Sequence, residues 1–269
     1  MAEKLGNGGY SNEAYDEETG KYIEDGQPNS SYNNTNEFSE GKNLGAKRGQ
    51  LPYSELVDDG LSIDRSTEEK EKQFKEQCTK ELSKETGMSI DESRIAYDNL
   101  FYYLAEPYFD LPKEDMQKMI KSVNETLSKM GSYNGQIYRG LHYDTSNPSK
   151  KGMERYYKMA NKLMESARTG TPIQLTRSNG DEMLSSWTSN STISDEYSYK
   201  DRPGYKSIMF TCKNNKSGVP IRHLAVYQWE DEVLCPSNIQ YKVKSCNEKI
   251  IKDRNGTNKR VLYVELEEI

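Results

Sequence analysis

The hydrophobic repeat of this chain changes at Gly131, and that change limits what it can fold into. Between Arg65 and Met130 apolar residues recur at helical spacing; beyond Gly131 they come in short alternating runs separated by turn residues. A period near 3.6 followed by a period near two describes helices set against a sheet, not helices interleaved with its strands. Ser66-Thr67-Glu68-Glu69 offers a capping hydroxyl and then first-turn acids. The helix it opens runs to Glu85 with an apolar stripe of Phe74, Cys78 and Leu82, and Gly87 ends it. A second helix starts at Ser89 or Asp91, carries Ile95, Leu100, Tyr103 and Leu104, and stops near Pro107. A third begins at Leu111-Pro112, carries Met116, Met119, Ile120, Val123 and Leu127, and is closed by Gly131.

In the second half, Gln136 to Leu141 reads as a short strand with Arg139 at its end, followed by a helix from Gly152 to Arg168. Strands are then expected at Ile173–Leu175, Met183–Ser189, Ser207–Cys212, Ile239–Ser245 and Arg260–Leu266. A polar segment with Tyr197, Tyr199, Arg202, Pro203 and Tyr205 separates two of them. Leu224–Tyr227 and Val233–Cys235 flank the triplet Glu230-Asp231-Glu232 and read as the two arms of an acidic hairpin. In an extended chain Glu230 and Glu232 would share one side and Asp231 would take the other. The fold class is α+β, with a split, twisted β-sheet core over residues 131–269. A small helical subdomain covers 65–130.

Residues 1–64 show no sustained periodicity and few aliphatic side chains, so they are expected to form a flexible leader. A net charge of −6 gives no electrostatic footprint for nucleic acid or an anionic membrane. Cys78, Cys212, Cys235 and Cys246 lack any C-x-x-C spacing, and His142 and His223 are the only histidines. Buried free thiols and no metal are the expectation. The N-terminus has no basic segment followed by an apolar one, and no run approaches a membrane span. A soluble protein made in the cytoplasm, and able to be delivered to a host-cell cytoplasm, is expected, with a monomer as the expected state.

Three short patterns carry chemistry. Arg139 in Ile137-Tyr138-Arg139-Gly140 is a planar fork suited to phosphate or carboxylate. Ser186-Trp187-Thr188-Ser189 is a strand of hydroxyls able to line a polar cleft and fix a neighbouring carboxylate. Glu230 and Glu232 are paired acids, which repel unless something cationic or catalytic faces them. Taken singly, each has a plain structural reading: a surface charge, a polar strand, an acidic turn facing water.

Together, in this order and spacing, they resemble the ADP-ribosyltransferases of the Arg–Ser–Glu class, the cholera-toxin-like, clostridial and bacteriophage enzymes. The resemblance covers about residues 130 to 269, and its longest piece runs from Leu224 to Pro236. It departs from the family at Trp187, which leaves the hydroxyl pattern readable as 186–188 or 187–189. The resemblance implies NAD as substrate, with ADP-ribose transferred to an acceptor and nicotinamide released. It implies Glu232 as the residue that stabilises the ribosyl cation and Arg139 as a ligand of NAD. Ser186, Thr188 and Ser189 would orient the nicotinamide end. The loop from Glu196 to Lys206, with Arg202 and Tyr205, would lie over NAD. Glu230 implies arginine of a target protein as acceptor, with Tyr227 and Trp229 presenting aromatic surface to it. Water as acceptor, a nucleic-acid acceptor, or a non-catalytic interaction protein on the same fold are the alternatives.

Overall fold

The computed structural model describes residues 15–16, 21–22, 67–105, 111–147, 151–175, 183–253 and 255–269. Apart from a two-residue ladder between β1 (Tyr15–Asp16) and β2 (Lys21–Tyr22), the expected leader lies outside the described residues.

The helices fall where the sequence places them, and their caps show why. Helix α1 (Glu68–Thr86) starts with the Thr67 hydroxyl accepting from the Lys70 amide at 3.2 Å. It ends at Gly87, whose φ of 71° a side chain would resist. For α2 (Ile90–Ala105) Ser89 is the cap: it exchanges hydrogen bonds with Glu92 in a reciprocal box, which holds the Glu92 carboxyl below its usual range. Helix α3 (Lys113–Leu127) ends at Ser128, ahead of the expected Gly131. The stripe Phe74, Cys78 and Leu82 is buried as read, and so are Leu100, Tyr103 and Leu104 of α2; Ile95 is exposed, and Tyr97 and Phe101 complete the buried face in its place.

Eight strands make one sheet in the order β4-β9-β10-β6-β3-β5-β8-β7. They are β3 (Ile137–Asp144), β4 (Ile173–Gln174), β5 (Ser185–Thr188), β6 (Tyr205–Cys212), β7 (Val219–Pro220), β8 (Glu232–Cys235), β9 (Gln240–Lys252) and β10 (Asn258–Glu268). Arg139 is therefore inside its strand, not at its end, and β9 runs well past Ser245 into a long hairpin with β10. Strand β3 pairs with β6 along its whole length, yet it meets β5 only at Tyr138↔Thr188. The sheet is thus all but split between β3 and β5, and the smaller part, β5-β8-β7, joins the rest through that one pair.

Side-chain alternation gives the split sheet two cores. On one side Leu184, Val219, Leu224 and Leu234 pack with the three helices α1–α3. On the other, Trp187, Val233 and Cys235 join Ile137, Ile208, Phe210 and Leu262 under helix α4 (Gly152–Thr169), through Tyr156, Ala160 and Leu163. A short helix, α5 (Ser191–Tyr197), follows β5 where only a polar segment was expected. It lies hard against β3 at Gly140: a Cβ there would come within 2.0 Å of the Ser194 carbonyl oxygen and 2.6 Å of the Ser198 nitrogen. That close approach is what the glycine after Arg139 permits. Cys78, Cys212 and Cys235 are buried free thiols; Cys246 is half-buried. Among the described residues no helix is long and apolar enough to cross a membrane.

Candidate active site

The acidic triplet is not on a hairpin. Arg222–Leu224 is a 3₁₀ turn, not a strand arm; Gln228–Glu230 is a second 3₁₀ turn, and Asp231 takes a left-handed conformation at φ 48°, ψ 45°. Only Glu232 begins a strand, β8. The two glutamates are therefore set by different devices: Glu232 by a β-ladder and Glu230 by a turn. All three carbonyls of the triplet are anchored. The Thr188 hydroxyl donates to Glu230 O at 2.7 Å, the Ser189 amide to Asp231 O at 3.1 Å, and the Ile221 amide to Glu232 O at 3.0 Å.

Glu232 sits opposite Thr188 in the β5–β8 ladder and is only 6% exposed. Ser186, two residues back on β5 and so on the same face, hydrogen-bonds the Glu232 carboxylate through its hydroxyl. Arg139 closes the group from across the split, its Nη1 donating to the Ser186 carbonyl oxygen. Burial pushes the Glu232 carboxyl up from 4.5 to about 7, while Ser186 and the Arg139 charge pull the other way.

The solved structures this chain resembles include ADP-ribosyltransferase toxins. Vis toxin, an ADP-ribosyltransferase from Vibrio splendidus, is 18% identical, over 78% of this chain and 90% of that one, with a TM-score of 0.39. Plx2a, an ADP-ribosyltransferase toxin from Paenibacillus larvae, is 19% identical over 72% of this chain and 96% of its own, with a TM-score of 0.43. The enzymatic component C2-I of the C2-toxin from Clostridium botulinum is 17% identical over 70% of this chain and 46% of its own, with a TM-score of 0.44. No family model and no curated protein matches the chain.

The remaining residues expected at the site divide among three places. Thr188 serves the turn, since its hydroxyl holds the Glu230 carbonyl and also accepts from the Asn190 amide at 3.0 Å. Ser189 lies beyond the end of β5, and its side chain hydrogen-bonds Tyr133; of the two readings of the hydroxyl pattern, 186–188 is the one that reaches Glu232. Arg202 and Tyr205 belong to a separate aromatic column built on His142 of β3. Arg202 lies 3.7 Å over the Tyr199 ring, Tyr199 stacks on His142 at 4.0 Å, and Tyr205 meets His142 edge-on at 5.5 Å. Lys259 fixes the backbone of that loop, donating to the carbonyls of Tyr199 and Arg202 at 2.7 Å each. Tyr227 is half-buried and Trp229 is 6% exposed, so the aromatic surface expected at this turn faces inward. Tyr227 packs against the helical core and Trp229 meets the Tyr227 ring edge-on at 6.5 Å, while Glu230 stays half-buried beside them.

Two tyrosines at the site were not singled out by sequence. Tyr103 on α2 shares a 3.0 Å hydrogen bond with the Ser186 hydroxyl, which ties the helical layer to the carboxylate. Tyr197 at the end of α5 donates to Glu230 Oε1. Nothing local distinguishes them among twenty tyrosines. Among the described residues, no cluster of His, Cys, Asp and Glu is arranged to hold a metal ion.

Proposed function

We propose that this protein is an NAD-dependent mono-ADP-ribosyltransferase whose acceptor is an arginine of a protein. The observation that carries the reading is the meeting of Arg139, Ser186 and Glu232 at the split of the sheet, with a second carboxylate, Glu230, turn-held two residues before the first.

The chemistry suits those groups. The bond between ribose and nicotinamide in NAD breaks with a neutral leaving group, because the ring already carries the positive charge. What needs stabilising is the ribosyl cation, akin to the oxocarbenium of glycoside cleavage. An ionised Glu232 held by Ser186 supplies a fixed negative charge for it. Arg139, reaching across the split, holds the phosphate or ribose side of NAD. The ribosyl centre is then attacked by the acceptor: its C–N bond forms as the bond to nicotinamide is lost, and the acceptor gives up one proton. A guanidinium is protonated at ordinary pH and cannot attack as it stands. Glu230 orients it and takes that proton. Arg202, on the loop fixed by Lys259, and Tyr205, at the start of β6, are read as the cover over bound NAD.

The test is incubation of the full chain with adenylate-labelled NAD and a cell lysate, followed by mass spectrometry of the labelled species. Label on protein arginines is the expected result. Nicotinamide release without label would mean water is the acceptor, label on RNA or DNA a nucleic-acid acceptor, and neither would remove the reading.

A further inference from the structure

The residue between the two glutamates is built into the site as firmly as they are. Asp231 is 3% exposed and Arg222 is 5% exposed, and the two form an ion pair of 2.9 Å between Nη1 and Oδ1. Both belong to the segment that leads into β8: Arg222 opens the first 3₁₀ turn and Asp231 caps the second, so the pair clamps the two turns together. Asp231 holds a left-handed backbone that a non-glycine residue adopts only when its surroundings impose it. Its carbonyl is fixed by Ser189 and its side chain by Arg222, so its direction is set twice over.

A third acid between Glu230 and Glu232 would raise the cost of ionising both, if its charge were left facing them. Pairing with Arg222 neutralises that charge and converts the residue from a competitor into a support. The helical layer reinforces the same segment. Tyr97 donates to the Leu224 carbonyl at 2.9 Å, and His223 Nε2 meets Glu85 at 3.0 Å. Since Glu232 is placed by the β5–β8 ladder and Glu230 by this turn, with Tyr197 and Thr188 as its other ties, losing the clamp loosens Glu230 more than Glu232.

We propose that Arg222 and Asp231 are a positioning pair that locks the 227–231 turn and thereby aims Glu230 at the acceptor; this rests on the transferase reading above. Two variants of the full chain test it. Asp231→Asn keeps a residue that tolerates the left-handed backbone but removes the charge. Arg222→Met/Asp231→Asn removes both charges, so that neither is buried alone should the single variant fail to fold. Trp187 and Trp229 are the only tryptophans. Labelling with fluorotryptophan therefore gives a reporter inside the turn and another, in the opposite core, for the fold as a whole.

The expected result is a shifted or broadened Trp229 fluorine resonance with Trp187 unchanged. Alongside it, transfer to an acylated arginine amide should fall about tenfold to a hundredfold while nicotinamide release persists. An unmoved Trp229 resonance, or transfer and release falling in equal proportion, overturns the pair as a positioning device. If the wild-type chain releases no nicotinamide, the transferase reading falls, and the fluorine spectra still decide whether the pair locks the turn.

Discussion

Replacing Glu232 by glutamine should make the protein more stable, by an amount that is nil below pH 4.5, grows as pH rises, and is complete above about pH 7. The carboxyl's folded-state value lies near 7 against 4.5 for an unburied glutamate, because burial outweighs the help from Ser186 and Arg139. Below 4.5 the group is neutral in both states and contributes no penalty. Between 4.5 and about 7 the unfolded chain has lost the proton that the folded chain keeps, so stability falls as pH rises, by about 1.4 kcal/mol per pH unit. Above about 7 both states are ionised and the whole penalty, about 3 kcal/mol, is in force. Glutamine has nearly the same shape, accepts from the Ser186 hydroxyl and carries no charge to desolvate. Urea unfolding of both proteins at pH 5 and pH 8 measures the difference directly. The expected gain for the variant is small at pH 5 and about 3 kcal/mol at pH 8, worth roughly 2–4 °C of melting temperature per kcal/mol. A variant no more stable than wild type at pH 8, or one offset equally at both pH values, would refute the claim that Glu232 is held ionised at a cost to the fold.

Two further outcomes follow from the geometry. Arg139→Lys should weaken NAD binding with the fold intact, since a point charge replaces a planar fork; calorimetric titration with NAD checks it, and unchanged affinity would take Arg139 out of the site. Gly140→Ala should destabilise the protein by about 1–3 kcal/mol, because the new methyl meets the Ser194 carbonyl on α5 and the backbone has to move. A melting temperature equal to wild type would mean that α5 yields freely.

How much could be read beforehand depended on the range of the interactions involved. Helices α1–α4 were legible because their stripes, caps and glycines are local: Phe74, Cys78 and Leu82 repeat at four-residue intervals, and Gly87 closes α1 in the left-handed conformation. Arg139, Ser186 and Glu232 were legible as a set through their order and spacing, though not their contacts. Helix α5 was not, since two polar turns cannot show an amphipathic period; the capping Asn190, whose side chain accepts from the Thr192 amide at 3.0 Å, is its one local signal. The hairpin expected around the triplet failed for a different reason. Leu224–Tyr227 is apolar enough for a strand, but the segment carries the Arg222–Asp231 pair and the ties from Tyr97 and Glu85, and it forms 3₁₀ turns. Tyr103 was out of reach for the same cause: its hydrogen bond to Ser186 spans 83 residues of chain.

The central claim is that the two glutamates divide the work, Glu232 at the ribosyl cation and Glu230 at the incoming guanidinium. Nicotinamide release and arginine labelling, followed side by side for Glu232→Gln and Glu230→Gln, test it most directly. For Glu232→Gln both should fall together by about 10²–10³, the effect of losing one preorganised electrostatic group. For Glu230→Gln arginine labelling should collapse while nicotinamide release continues slowly, with water as acceptor. If Glu230→Gln abolishes nicotinamide release as fully as Glu232→Gln does, that division of roles is wrong.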